Sequence, residues 1–245
     1  MRLWIDTDVG TNPDDAIAIL LACRHPDVTV VGLSTVGGDE GARAVAARGL
    51  LASEGIVDVP IVTGARLERR DVAGATPDAL LAIGPLTNVA RLVPHGVWPR
   101  RVTVMGGIRA RVRHRGAWRE TETNFGSDPA AAALVVDALD PVVVPLDVTA
   151  AVVLTDEERA RLHAQVPAFK ELLEHWTDPV CIHDPVALFT LTDEPCASVG
   201  RQRLRVDERG RLRDDDTATE RRVVAAVDRD AAIARMFRLL VGEHR

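Results

Sequence analysis

Asp6-Thr7-Asp8-Val9-Gly10-Thr11-Asn12-Pro13-Asp14-Asp15 places four carboxylates within one short stretch, and no Lys or Arg lies between residues 3 and 23 to neutralise them. Carboxylates crowded without cations repel one another and raise each other's pKa values. A divalent cation is the simplest remedy, and an all-oxygen donor set favours calcium or magnesium over zinc. Acids in a first helical turn also complement the positive end of the helix dipole, which accounts for Asp14 and Asp15. It does not account for Asp6 and Asp8, so a metal or polyol site is the stronger expectation.

These residues need elements to hold them. Leu3-Trp4-Ile5 reads as a buried strand that stops at a carboxylate. Gly10 permits a sharp turn, and Asn12, Pro13 and Asp15 read as N-cap, N1 and N3 of a helix that is apolar on nearly all sides. Further apolar runs at 29–36, 59–62, 79–83, 102–105 and 141–146 read as strands, with helices expected over about 40–53, after Asn88 and over about 185–192. Strands alternating with helices imply an α/β fold, a mostly parallel sheet covered by helices on both faces. Ligand sites in such sheets lie beyond the carboxyl ends of the strands. Asp8, Asp39, Ile83, Gly106 and Asp147 all fall at those ends.

The 245 residues fit one sizeable domain spanning 1–245, with 47% hydrophobic residues to fill a core. A net charge of −6 gives no reason to expect nucleic acid as a partner. Lys170 is the only Lys and Tyr is absent, a bias of genomic rather than functional character. Cys23, Cys181 and Cys196 have no metal-like spacing and cannot all pair within one chain, so a reducing cytoplasm is expected. No signal peptide or membrane-spanning run is evident.

The stretch from Asp6 to Ala16 resembles the amino-terminal signature of the inosine-uridine-type nucleoside hydrolases, usually DxDxGxDDA, with two extra residues here between Gly10 and the Asp pair. Glu122-Thr123-Asn124 with Asp128-Pro129 resembles the family's E-x-N…DP stretch, Ile182-His183-Asp184-Pro185 its HDP, and Gly84-Pro85-Leu86-Thr87-Asn88 a further landmark. The resemblance runs from residue 3 to about 190. It implies a Rossmann-like nucleoside hydrolase fold, a homo-oligomer, and calcium-dependent hydrolysis of the N-glycosidic bond of a small-molecule N-riboside. Calcium would be held by Asp8, Asp15, Asp184 and the carbonyl of Ile83, with Asp8 also the general base. Asp14, Glu122 and Asn124 would hold the ribose, and His183 would protonate or polarise the leaving base.

The match has gaps. The family has an Asn where Asp39 stands, so Asp39 takes a sugar-contacting place and adds a carboxylate near the metal. Another family Asn, near Gly116, is missing, and residues 65–78 replace a longer His-containing segment that closes over the base. A basic run, Arg109 to Arg119, leads into Glu122; it reads as a solvated loop, or as a clamp for an anionic substrate group built on residues such as Arg111 and Arg113. Two alternatives are weighed. Phosphotransferases of the haloacid-dehalogenase type also begin strand-DxD, but Gly10 and the context of Lys170 do not fit them. A shortened relative that binds ribose or nucleoside and lost leaving-group activation is the more serious rival.

Overall fold

The computed structural model describes residues 1–174 and 176–242. In chain order the elements are β1 (Arg2–Thr7), α1 (Pro13–Arg24), β2 (Thr29–Thr35), α2 (Glu40–Ser53), β3 (Ile61–Thr63), α3 (Arg69–Ala75), β4 (Ala79–Ala82), α4 (Thr87–Leu92), β5 (Arg101–Met105), β6 (Val112–His114), β7 (Ala117–Arg119), α5 (Thr123–Ser127), α6 (Pro129–Leu139), β8 (Val142–Val144), α7 (Leu146–Thr149), α8 (Asp156–Gln165), α9 (Pro167–Glu174), α10 (His183–Leu191), β9 (Ala197–Val206), β10 (Leu212–Asp214), β11 (Glu220–Val227) and α11 (Arg229–Val241). Residues 175 and 243–245 lie outside the described residues.

Among the described residues the main sheet has the order β10-β9-β11-β8-β5-β4-β1-β2-β3. The strands from β11 to β3 run parallel, and β9 and β10 join antiparallel at one edge. The alternation of strand side chains divides the core in two. Leu3, Ile5, Ala79, Leu81 and Val144 pack on one face with α1, α10 and α11; Trp4, Leu80, Val102, Val104 and Val143 pack on the other with α4 and α6. The helix α1 is buried from Pro13 to Ala22, as its all-round apolar sequence demands.

Trp4 shows how tightly the central strands are specified. Its ring lies over Gly32 of β2, where an added Cβ would sit 2.1 Å from a ring carbon. Its indole donates to Ser34 Oγ at 3.0 Å, and Ser34 donates in turn to Asp6.

Several local expectations change. Asn12 occupies the N-cap position of α1, but its side chain makes no capping bond; Arg115 takes its Oδ1 at 3.0 Å. The helix α10 begins at His183, so Asp184 lies inside its first turn rather than capping it. The basic run is no open loop: Val112 to Arg119 folds into the β6–β7 hairpin, closed by Arg115 and Gly116, both at positive φ. Residues 65–78 hold a short helix, α3, in place of a long closing segment.

Candidate active site

A cavity of about 570 Å³ opens beyond the carboxyl ends of β1, β4 and β5. Asp8, Asp14, Asp15, Ile83, Glu122, Asn124, His183 and Asp184 all line it. Chain segments from the first turn to residue 184 therefore meet in one place, and of the expected site residues Asp39 and the clamp residues Arg111 and Arg113 stand apart.

The floor is acidic. Asp14, Asp15 and Asp184 are buried and offer oxygens within 4.8 Å of one another. Burial and mutual repulsion raise Asp15 and Asp184 well above the ordinary carboxylate range, and Asp14 to about 6, chiefly by burial. Asp8 is less enclosed and is also raised by burial, against the pull of the Arg43 guanidinium 3.8 Å away. Asp14 Oδ1 is buried without a partner. A buried oxygen cluster with an orphaned acceptor, and too little positive charge to balance it, is the chemistry of a hard divalent cation site. Ile83 presents its backbone beside it; its carbonyl already accepts from Asn124 Nδ2 at 3.2 Å, and a second lone pair remains.

Asp6 sits behind this cluster, fully buried. It accepts from Ser34 Oγ and from Asn88 Nδ2, and burial pushes it up to about 7. It belongs to the core beneath the site rather than to the site.

One wall of the cavity is Glu122 and Asn124. Glu122 accepts from the backbone N–H groups of Asn124 (2.6 Å), Gly107 (2.9 Å) and Phe125 (3.0 Å), capping α5. Burial nevertheless raises it to about 7. Asn124 donates to the carbonyls of Ile83 and Met105, which fixes its amide against the strand ends. Asp39 is the correction. It is exposed, caps α2 by accepting from Ala42 N at 3.0 Å, and lines no part of the cavity. Asp147 is likewise occupied, accepting from Arg109 N and Nε.

At the other end stands His183. Its Nδ1 lies 2.8 Å from Thr149 Oγ1, and its Nε2 is buried without a partner. Burial lowers its pKa to about 3, so the ring is neutral. His114, from β6, meets it edge-on with ring centroids 5.0 Å apart. Opposed residues in the hairpin share a face, so His114 and Arg119 face the cavity with the tip residue Arg115, while Arg111 stacks on exposed Trp118 outside. The expected clamp residues Arg111 and Arg113 are therefore on the wrong face; Arg115 and Arg119 line the cavity instead.

Sequence reasoning missed Thr7, which donates to Asp15 Oδ1 at 2.6 Å, and Arg43, which also donates to the carbonyls of Gly37 and Val9. It also missed Thr149, His114 and Arg209. The alternation of the basic run about Arg115-Gly116 was the one signal available for His114.

The structure is a mostly parallel α/β sheet carrying a buried carboxylate cluster at the carboxyl ends of its strands. The comparisons with known proteins agree. The model of the inosine-uridine preferring nucleoside hydrolase family matches residues 3–79 and 69–234, and the chain belongs to that family. It is similar to "Probable uridine nucleosidase 2" of Oryza sativa subsp. japonica, at 27% identity over 85% of this chain and 79% of that one. It is also similar to "Non-specific ribonucleoside hydrolase RihC" of Salmonella schwarzengrund (strain CVM19633), at 30% identity over 67% of each. Among solved structures, a plant nucleoside hydrolase, the PpNRh1 enzyme, superposes with a TM-score of 0.81 at 21% identity over 99% of both chains. A purine-preferring ribonucleoside hydrolase from Gardnerella vaginalis superposes with a TM-score of 0.78 at 19% identity, over 99% of this chain and 98% of that one. No described helix is long and apolar enough to cross a membrane.

Proposed function

We propose that the protein is a calcium-dependent ribosidase that cleaves the N-glycosidic bond of a ribonucleoside or related N-riboside to ribose and free base. The observation that carries this reading is the convergence of Asp8, Asp14, Asp15 and Asp184 with Asn124 and His183 on one cavity. Asp8, Asp15, Asp184 and the Ile83 carbonyl would hold calcium. When bound, the ion supplies a fixed positive charge that keeps the carboxylates ionised and acidifies water beside it.

The remaining steps belong to the chain. Asp8 is the most solvent-accessible carboxylate of the cluster and takes the proton from the attacking water. Asp14 and Asn124 bind the ribose hydroxyls, and the buried Glu122 holds the α5 backbone that orients Asn124. Hydroxyl contacts that tighten as the sugar flattens lower the barrier to an oxocarbenium-like transition state. His183 is neutral and lines the cavity with Nε2 unpartnered; in the tautomer where the Thr149 hydroxyl donates to Nδ1, Nε2 carries the proton and would polarise the leaving base as a hydrogen-bond donor.

A binding-only relative was the alternative suggested by the short segment 65–78. The hairpin brings a second imidazole to the leaving-group end, which weakens the reason for holding it. The test is release of reducing sugar from a panel of ribosides, with calcium and after chelation. Calcium-dependent release is expected, and Asp8→Asn should lower kcat by about a hundred- to ten-thousand-fold, the usual worth of a general base. Full activity in Asp8→Asn would sink the mechanism. Calcium and ribose binding without turnover would return the binding protein.

A further inference from the structure

Two guanidiniums at the cavity rim have no part in the chemistry above. Arg119, at the end of β7, and Arg209, in the turn between β9 and β10, both line the cavity. Neither has a hydrogen bond or ion pair from its side chain among the described residues, whereas Arg109, Arg115, Arg211 and Arg213 nearby are all engaged. Their placement is built into the backbone. Gly210, at φ +74, packs so closely on α5 that an added Cβ would lie 2.5 Å from the Phe125 carbonyl group. Asp207 ties the same turn by accepting from Arg209 N, Arg211 N and Arg213 Nε. A Cβ placed on Gly126 would lie 3.9 Å from both the Arg209 carbonyl and Thr121 Cβ, so the turn and the segment after Arg119 meet over the same residue. Thr121, Thr123 and Ser127 add hydroxyls to that end of the cavity. Glu208 also lines it, so the rim sets two positive charges against one negative.

The shape of an N-riboside gives this end a meaning. With its diol on the carboxylate cluster, the furanose sends the base from C1′ and the exocyclic carbon from C4′ toward opposite ends. His183, with His114 beside it, marks the base end; β7 leads from there through Arg119 to Glu122 and α5, on which the Arg209 turn packs, so C5′ directed along that course points toward Arg119 and Arg209. Guanidiniums with neighbouring hydroxyls suit a dianion far better than a neutral hydroxymethyl group. Resting on the ribosidase reading above, we infer that the substrate carries a phosphate on C5′, held by Arg119 and Arg209, so that the substrate class is the ribonucleoside 5′-monophosphates. In the reaction the water oxygen bonds to C1′, the C1′–N bond breaks, the base leaves with a proton, and the phosphate ester is untouched. The products are ribose 5-phosphate and free base.

The test compares kcat/KM for a nucleoside and its 5′-monophosphate in the presence of calcium, with both sugar products resolved by chromatography. The monophosphate should be favoured at least about tenfold, chiefly through KM, since one charge-assisted hydrogen bond is worth that much. The Arg119→Ala/Arg209→Ala double variant should bring the ratio close to one. A ratio at or below one in the wild type, or one unchanged by the double substitution, overturns the inference. If no riboside is cleaved, the ribosidase reading fails by itself, and calorimetric binding decides the phosphate question separately. Ribose 5-phosphate should then bind at least about tenfold more tightly than ribose or inorganic phosphate, and the double variant should abolish the difference. Equal binding of ribose and ribose 5-phosphate, or of inorganic phosphate and ribose 5-phosphate, overturns it.

Discussion

The Thr7 hydroxyl does two things at once: it donates to Asp15 Oδ1 at 2.6 Å and accepts from Val9 N at 3.1 Å. It therefore fixes a proposed metal ligand and the backbone turn that leads to it. Replacing it by the isosteric Val leaves volume unchanged but frees the carboxylate to rotate. Groups that orient a ligand from behind are commonly worth about ten- to a hundredfold in metal affinity. Thr7→Val should weaken calcium binding by about that factor in a calorimetric titration, and lower stability by about 1–3 kcal/mol because Val9 N loses its acceptor. Unchanged affinity would mean that Asp15 is held by its packing alone. Nothing in the sequence marked Thr7, because a strand-end Thr is common and its partner lies eight residues on. Asp39 shows the opposite failure. Its type and strand-end position were right for a site, yet Asp is also a preferred N-cap, and here the helix took it.

Among the elements, the β6–β7 hairpin carries most of what distinguishes this cavity. Its tip is pinned twice, by Arg115 Nη1 on Asn12 Oδ1 at 3.0 Å and by the Arg115 guanidinium over the Trp176 ring at 5.2 Å. Arg115 also sits at φ 48, a backbone conformation that Asn accepts with little cost. Arg115→Asn therefore keeps the turn and removes only the guanidinium. Amide exchange across residues 112–119 should quicken by about tenfold, the equivalent of one lost hydrogen bond, and KM should rise with it as His114 loosens. Unaltered exchange would show that strand pairing alone holds the hairpin. The parallel strands β1, β2, β4, β5 and β8 were legible because strands buried on both faces are continuous apolar runs. The strands β9 and β11 were not: Arg201, Arg203 and Arg205 alternate along β9 with less polar neighbours, which reads as a charged surface segment rather than as part of the sheet. Within the site, Asp8, Asp14, Asp15, Glu122, Asn124 and Asp184 were readable because they cluster in short motifs. His114, Arg119 and Arg209 were not, since only the hairpin and the β9–β10 turn bring them to the cavity.

At the scale of the whole molecule, the site is a store of unfavourable charge, and that makes stability depend on pH and on metal together. Asp6 and Glu122 are pushed up to about 7 and Asp14 to about 6, and Asp15 and Asp184 are raised well above the ordinary carboxylate range, all chiefly by burial. In the unfolded chain these carboxyls titrate near about 4. Between about pH 5 and 7 the metal-free native state therefore binds more protons than the unfolded state, and linkage makes stability fall as pH rises through that window. His183, lowered to about 3, and His114, also lowered, act in the other direction up to their unfolded value near about 6.5. Six raised carboxyls, Asp8 included, outweigh two depressed imidazoles, so the net slope stays negative. The chelated protein should thus melt at a higher temperature at pH 5 than at pH 7.5. Calcium should reverse the order, because it binds only the ionised cluster; at a hundred times its Kd it adds about 2.7 kcal/mol. Thermal unfolding at both pH values, with chelator and with calcium, reads out all four states. A chelated protein that gains stability from pH 5 to 7.5, with no further gain from calcium, would mean that the acidic floor is balanced by the protein itself and needs no cation.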